Sequence, residues 1–184
     1  MVYKNSITLI GDIIDSNHVK VKRDSGVEDI VQVENLDYEY GCVALINASL
    51  ETDKKERKEY VVRTRNNKAV YSDDDLIHVN RVEIQGYITY ISEPRQTPES
   101  KLQIIEIKIA VNEPKEMYYD CILYSGLTTF KVGQFVNCKG RLLSRTYKKH
   151  HAEHVDIGGY TEIDEWDEDV MVNEIAISKL EDAE

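Results

Sequence analysis

Two neighbouring stretches of this chain alternate with a period of two, and that period excludes a helix. Val82, Ile84, Gly86, Ile88 and Tyr90 share one parity within Arg81–Ile91 (RVEIQGYITYI). Leu102–Val111 (LQIIEIKIAV) follows, with Ile105, Ile107, Ile109 and Val111 sharing a face. Residues two apart lie on one face of a strand, whereas a helix brings together residues three and four apart. The same reading predicts strands over Asn5–Ile14, Lys20–Arg23, Ile30–Glu34, Cys42–Leu50, Glu59–Thr64, Tyr118–Tyr124, Phe135–Ser144 and Val172–Leu180. Polar punctuation at Asn66-Asn67, Ser72–Asp75 and Pro94–Ser100 separates them. A short helical turn is expected at Leu127–Phe130, and the polar stretch 150–169 reads as a loop, acidic over 151–169. The expected class is all-β.

A faint repeat suggests how the strands are organised. Asn5-Ser-Ile-Thr-Leu-Ile-Gly11 and Asn80-Arg-Val-Glu-Ile-Gln-Gly86 share Asn, two hydrophobic positions and Gly at an offset of 75 residues. A duplicated small β unit and a chance likeness of two strands both explain it. Either way a boundary falls near residues 72–78, giving an N-terminal β-rich segment, 1–78, and a second region, 79–180. Gly11 and Gly86 sit inside strands, where glycine marks a sharp bend or a close backbone approach.

Charge is distributed unevenly. The net charge of -11 hides a middle segment, 79–150, with 11 basic and 7 acidic side chains, and an end, 151–184, with one basic and 12 acidic. A basic middle suits a polyanion, because each phosphate contact releases counterions. The acidic end can compete for that surface, bind a basic partner or keep the protein soluble. No apolar run approaches the roughly 18 residues of a membrane span, so no membrane partner is expected. The start lacks a long apolar signal core. Cys42, Cys121 and Cys138 form no close pair and read as buried small hydrophobes, in keeping with a reducing cytoplasmic setting.

Twelve tyrosines against one Trp and two Phe supply flat rings that can stack on bases. In Arg81–Ile91, Tyr87 reads as exposed and Tyr90 as core; Tyr118 and Tyr119 are split between the faces of their strand. Lys139, Arg141, Arg145, Lys148 and Lys149 form a basic stripe that either pairs phosphates or is a solvated edge. His150, His151 and His154, beside Glu153 and Asp156, have ligand-like spacing but lie in the polar stretch, and no metal is assigned. The Asp73-Asp74-Asp75 run reads as a solvated turn. The chain holds no GxSxG, no phosphate-cradling Gly loop before a helix and no HExxH, so neither an enzyme nor a cofactor is expected.

Taken in order, residues 80–180 resemble the bacterial single-stranded DNA-binding protein family. The matching pieces are Asn80–Ile88, Ile105–Asn112 (IEIKIAVN), Tyr119–Tyr124, the segment Phe130–Tyr147 with its Gly133 turn and Gly140-Arg141 pair, and Val172–Leu180. This sequence departs from the family where Tyr87 replaces a basic residue, where Tyr124 replaces a Trp, and at the end, Glu181–Glu184, which lacks a Pro-Phe tip. The resemblance implies an OB-fold barrel over 79–180, with residues 1–78 a second, degenerate OB-like unit or an elaboration on the first. It implies non-catalytic binding of single-stranded DNA in replication, recombination or repair, and a homo-oligomer, here a dimer. The alternative is an OB-fold protein-interaction or replication accessory module that binds a basic protein partner. The residues expected to meet the strand are Tyr87, Tyr119, Tyr124, Lys139, Arg141, Arg145, Tyr147 and Lys148.

Overall fold

The structure, a computed structural model, describes residues 4–34, 36, 40–52, 60–63, 70–72, 77–98, 100–111, 116–158 and 160–183, with 60–63, 70–72, 155–157 and 160–162 as backbone. Twelve strands follow in chain order: β1 (Asn5–Asp15), β2 (His18–Lys22), β3 (Glu28–Glu34), β4 (Cys42–Thr52), β5 (Tyr60–Arg63), β6 (Val70–Ser72), β7 (Val79–Ile91), β8 (Arg95–Gln96), β9 (Gln103–Val111), β10 (Met117–Leu123), β11 (Phe135–Ile157) and β12 (Tyr160–Asp182). They form one mixed, mostly antiparallel sheet. The Asp73–Asp75 run lies outside the described residues.

The pairings make two rings with one connectivity. From β1 they pass to β2, β3, β5 and β4 and return to β1, with β3 and β5 parallel. From β7 they pass to β9, β10, β12 and β11 and return to β7, with β10 and β12 parallel. Both rings bury the inward-facing parity of their strands, including Ile7, Leu9, Val31, Leu45 and Leu50 in the first and Val82, Ile84, Ile107, Ile109, Leu142 and Ile175 in the second. All three cysteines are buried.

The two copies of the Asn–Gly echo meet. Strands β1 and β7 pair antiparallel from Asn5↔Ile84 to Ile10↔Val79. The 75-residue offset maps Asn5 onto Asn80 and Leu9 onto Ile84, and Leu9 faces Asn80, so the ladder is its own image about the Ile7↔Val82 pair. Each asparagine holds the backbone of an equivalent strand. Asn5 Nδ2 donates to Leu50 O at 2.8 Å while Leu50 N donates to Asn5 Oδ1 at 3.2 Å. Asn80 Nδ2 donates to Leu142 O at 2.8 Å while Leu142 N donates to Asn80 Oδ1 at 2.9 Å. Each glycine lies against the next strand: a Cβ on Gly11 would stand 2.3 Å from Lys20 O, and one on Gly86 would stand 2.2 Å from Ala110 O. No side chain fits there, so Gly lets the strand cross its neighbour closely.

A second seam joins the rings. Ser144 Oγ accepts from Ile30 N at 3.0 Å, and Asn173 Nδ2 donates to Ile30 O at 2.8 Å. Gln32 N donates to Asn173 Oδ1 at 3.3 Å, so the free edge of β3 is satisfied by side chains from β11 and β12.

Three expectations change. The stretch 150–169 is no loop: it is the outer half of a ribbon in which β11 and β12 stay paired out to Ile157↔Tyr160. Its sequence lacks apolar alternation because the described side chains of both faces meet solvent, and at its base opposite charges stand across the strands. Lys148, Lys149 and His150 stand opposite Asp169, Glu168 and Asp167, and the His151 ring stacks on Trp166 at 5.2 Å. Leu127–Phe130 is not a helical turn; Ser125 Oγ donates to Leu127 O and accepts from Leu127 N, which holds the chain in a local side-chain turn. Tyr90 is not core but 45% exposed, because the register with β9 shifts between Ile88 and Tyr90 and breaks the parity.

If the asparagines are equivalent clamps, Asn5→Ala and Asn80→Ala should each cost about 1–3 kcal/mol, because each leaves buried backbone groups unpaired. Urea titration of the two variants should give losses that agree within about 1 kcal/mol, the scatter expected of equivalent contacts in different surroundings. A normal midpoint for either variant would break the equivalence.

Candidate nucleic-acid interface

On the outer face of β7, β9 and β10 the side chains fall into rows. Tyr87 pairs with Ala110, and Ala110 with Tyr118, so two tyrosines flank a small residue across three strands. Their strands lie about 10 Å apart, twice the spacing of neighbouring strands. Tyr87 is 39% and Tyr118 50% exposed. Phe135, opposite Tyr87 on β11, extends the row, with ring centroids 4.9 Å apart. The next row is Tyr90, Lys108 and Asp120. Tyr118 Oη donates to Glu116.

Alongside these rows runs a groove of about 370 Å³, lined by Glu106, Lys108, Asp120, Arg145, Tyr147 and Glu174. Strands β9 and β10 form its floor, and the base of the β11–β12 ribbon forms its wall. Each lining carboxylate has a basic partner. Arg95 on β8 pairs with Glu106, Lys108 Nζ lies 3.2 Å from Asp120, and Arg145 Nη2 lies 2.5 Å from Glu174. Burial pushes the Glu174 carboxyl above its ordinary value; Arg145 opposes this, and Glu106 and Asp120 add to it. The arrangement offers ring faces beside a row of cations whose charge is already compensated.

The expected residues do not all gather here. Tyr87, Arg145 and Tyr147 do. Lys148 follows Tyr147 onto the other face of the ribbon and is exposed. Lys139 sits elsewhere on the second ring, 3.7 Å from both Glu83 and Glu181. Arg141, two residues on, is exposed opposite Ala176 and makes no ion pair among the described residues. Tyr124 is 46% exposed just past β10, within electrostatic reach of Arg23. It stands about 20 Å along the chain from Tyr118, six residues of strand away.

Tyr119 is a correction. It is 0% exposed, opposite Ile109 in the inward row, and no base can reach its ring. Its hydroxyl donates to Leu50 O at 2.6 Å and accepts from Asn5 Nδ2 at 2.9 Å, so it ties the second ring to the Asn5 clamp of the first. Tyr118, Tyr90 and Lys108 are the members of the face that sequence reasoning missed. Tyr118 shares parity with Asp120 but also with Ile122, so the sequence leaves the choice between Tyr118 and Tyr119 open, and the pairing with β9 decides it.

Among the described residues the first ring has no matching aromatic row. The close approach of Gly11 to Lys20 O matches that of Gly86 to Ala110 O, and the row through Lys20 is Asp12, Lys20 and Ile30. Asp12 is met by His78 Nε2 at 3.4 Å and accepts from Cys42 Sγ at 3.3 Å, and Lys20 pairs with Glu28 at 3.6 Å. Two ribbon histidines are engaged as well: His150 Nδ1 lies 3.1 Å from Asp167 and His151 Nε2 lies 2.8 Å from Glu168. Among the described residues no group of three or more His, Cys, Asp or Glu side chains could hold a metal ion.

No family model and no curated protein matches the sequence. Among solved structures, the crystal structure of a deletion variant of the single-stranded DNA-binding protein from Thermus aquaticus is similar, with a TM-score of 0.64 and 15% sequence identity over 98% of this chain and 95% of that one. The likeness shows the fold alone. It is an all-β, mostly antiparallel mixed sheet with an OB-like topology.

Tyr119→Phe separates structure from binding. Loss of the hydroxyl should cost about 1–2 kcal/mol of stability and leave affinity for any strand ligand unchanged at a temperature where the variant is folded. Chemical denaturation with a parallel binding titration checks both. Lost affinity in a stable variant would return Tyr119 to the site.

Proposed function

We propose that the chain binds single-stranded DNA without catalysis, on the outer face of β7, β9 and β10. The observation that carries this reading is the Tyr87–Ala110–Tyr118 row beside Tyr90, opening onto a groove with Arg145 and Tyr147. In an OB barrel the second and third strands and the loops after the first and fourth are the surface that takes oligonucleotides. Under the proposal the two rings are tandem OB barrels, one in 1–78 and one in 79–180, and β9 and β10 are the second and third strands of the latter. Segment 92–102 and the ribbon are then its two binding loops.

Tyr87, Tyr90 and Tyr118 stack on bases, each worth about 1–3 kcal/mol. Arg145 meets phosphate, Tyr147 lines the path, and Lys148, Arg141 and Lys139 supply outlying positive charge. Tyr124 sits at the far end of β10, where it meets a longer strand. Stacking of this kind tolerates any base, so the binding is weakly dependent on sequence.

Fluorescence anisotropy with oligo-dT and a duplex of equal length at low salt tests the proposal. Oligo-dT should bind more tightly, and Tyr118→Ala should lower its affinity by about 1–3 kcal/mol with little change in salt dependence. Arg145→Ala should reduce the salt slope by about 0.7, the share of one phosphate on a single strand. Equal binding of both ligands, or an unaffected Tyr118→Ala, would refute it.

A further inference from the structure

The groove beside the tyrosines is a cationic path that carries its own counterions. Three carboxylates and three bases alternate across it: Arg95 with Glu106, Lys108 with Asp120, and Arg145 with Glu174. They are not equally accessible. The Glu106 and Asp120 side chains are 43% and 38% exposed, while that of Glu174, which also lines the groove, is 17% exposed. The side chain of Arg145, its partner, is 55% exposed. The arginine that a phosphate would meet is therefore held by a carboxylate more enclosed than itself.

We infer that Glu174 is an affinity-setting residue: as an anion it occupies Arg145 and repels the strand, and on taking up a proton it releases Arg145 to phosphate. This rests on the strand-binding reading above. The step is a simple protonation, in which the Glu174 carboxylate gains one proton from solvent as the phosphate takes its place beside the guanidinium. The groups facing it are Arg145 and Tyr147 on β11, Glu106 and Lys108 on β9, Asp120 and Cys121 on β10, and Arg95 on β8. Two of these are carboxylates, and a bound phosphate adds further negative charge. All three disfavour the anionic form of Glu174, in the direction already set by its burial. Binding and protonation are then linked: the complex holds a proton that the free protein releases, so affinity rises as pH falls. His150 and His151 face Glu165, Asp167 and Glu168 on the ribbon, away from Glu174.

The test is the affinity for oligo-dT at constant ionic strength between pH 7.5 and pH 5.5, for the wild type and for Glu174→Gln. Wild-type affinity should rise severalfold as the pH falls across this interval. Glu174→Gln should bind more tightly than wild type at pH 7.5 and show a flatter pH profile. A variant whose pH profile runs parallel to wild type overturns the inference while leaving strand binding intact. Absence of oligo-dT binding at every pH overturns both. Should Glu174→Gln melt early, Glu106→Gln removes one of the two carboxylates that disfavour the Glu174 anion. It should also raise affinity at pH 7.5 and flatten the profile, and an unchanged profile there counts against the inference equally.

Discussion

The six-residue ladder between β1 and β7 is the contact on which the rest of the structure depends. Each strand is the first of its ring, so each must pair with two partners of its own ring and still offer part of its length to the other. Asn5 and Asn80 make this possible. Each holds the fourth strand of its ring through a side chain, with paired donor and acceptor, where the backbone ladder gives out. Tyr119 then adds a hydroxyl to the Asn5 clamp. An isologous interface of this kind normally joins two identical chains; here two strands of one chain, each the first of its ring, meet in that way.

That symmetry ends at the outer faces. The row that reads Tyr87, Ala110 and Tyr118 in the second ring reads Asp12, Lys20 and Ile30 in the first. The edge of β3 in the first ring is occupied by Ser144 and Asn173 from the second. One ring therefore presents aromatic surface, and the described face of the other is committed to ion pairs and to contact with its neighbour. Fold and face are separable in this molecule: the same pairing scheme carries two different surfaces.

The inward half of the architecture was legible in the sequence. Alternation in Arg81–Ile91 and Leu102–Val111 located β7 and β9, and in the structure the two strands of the Asn–Gly echo pair with each other. Parity alone could not say which of Tyr118 and Tyr119 faced outward, because β10 is buried at Cys121 and Ile122 alike. Its pairing with β9 decides it, and pairing is not a local property. The outer ribbon was illegible for a different reason. Its strands hold together through cross-strand charge at Lys148–His151 and Asp167–Asp169, a pattern that along one chain looks like a solvated loop. Tyr90 was misplaced by a register shift that no residue in Arg81–Ile91 announces.

The central claim is that the aromatic row of the second ring is where a single strand lies. Photocross-linking with an oligonucleotide carrying 5-iododeoxyuridine, followed by peptide mapping, addresses it directly, because the reaction favours aromatic side chains in stacking contact. The account predicts adducts on peptides containing Tyr87, Tyr90 or Tyr118. Adducts confined to residues 1–72, or to the Lys139–Arg141 segment, would contradict it.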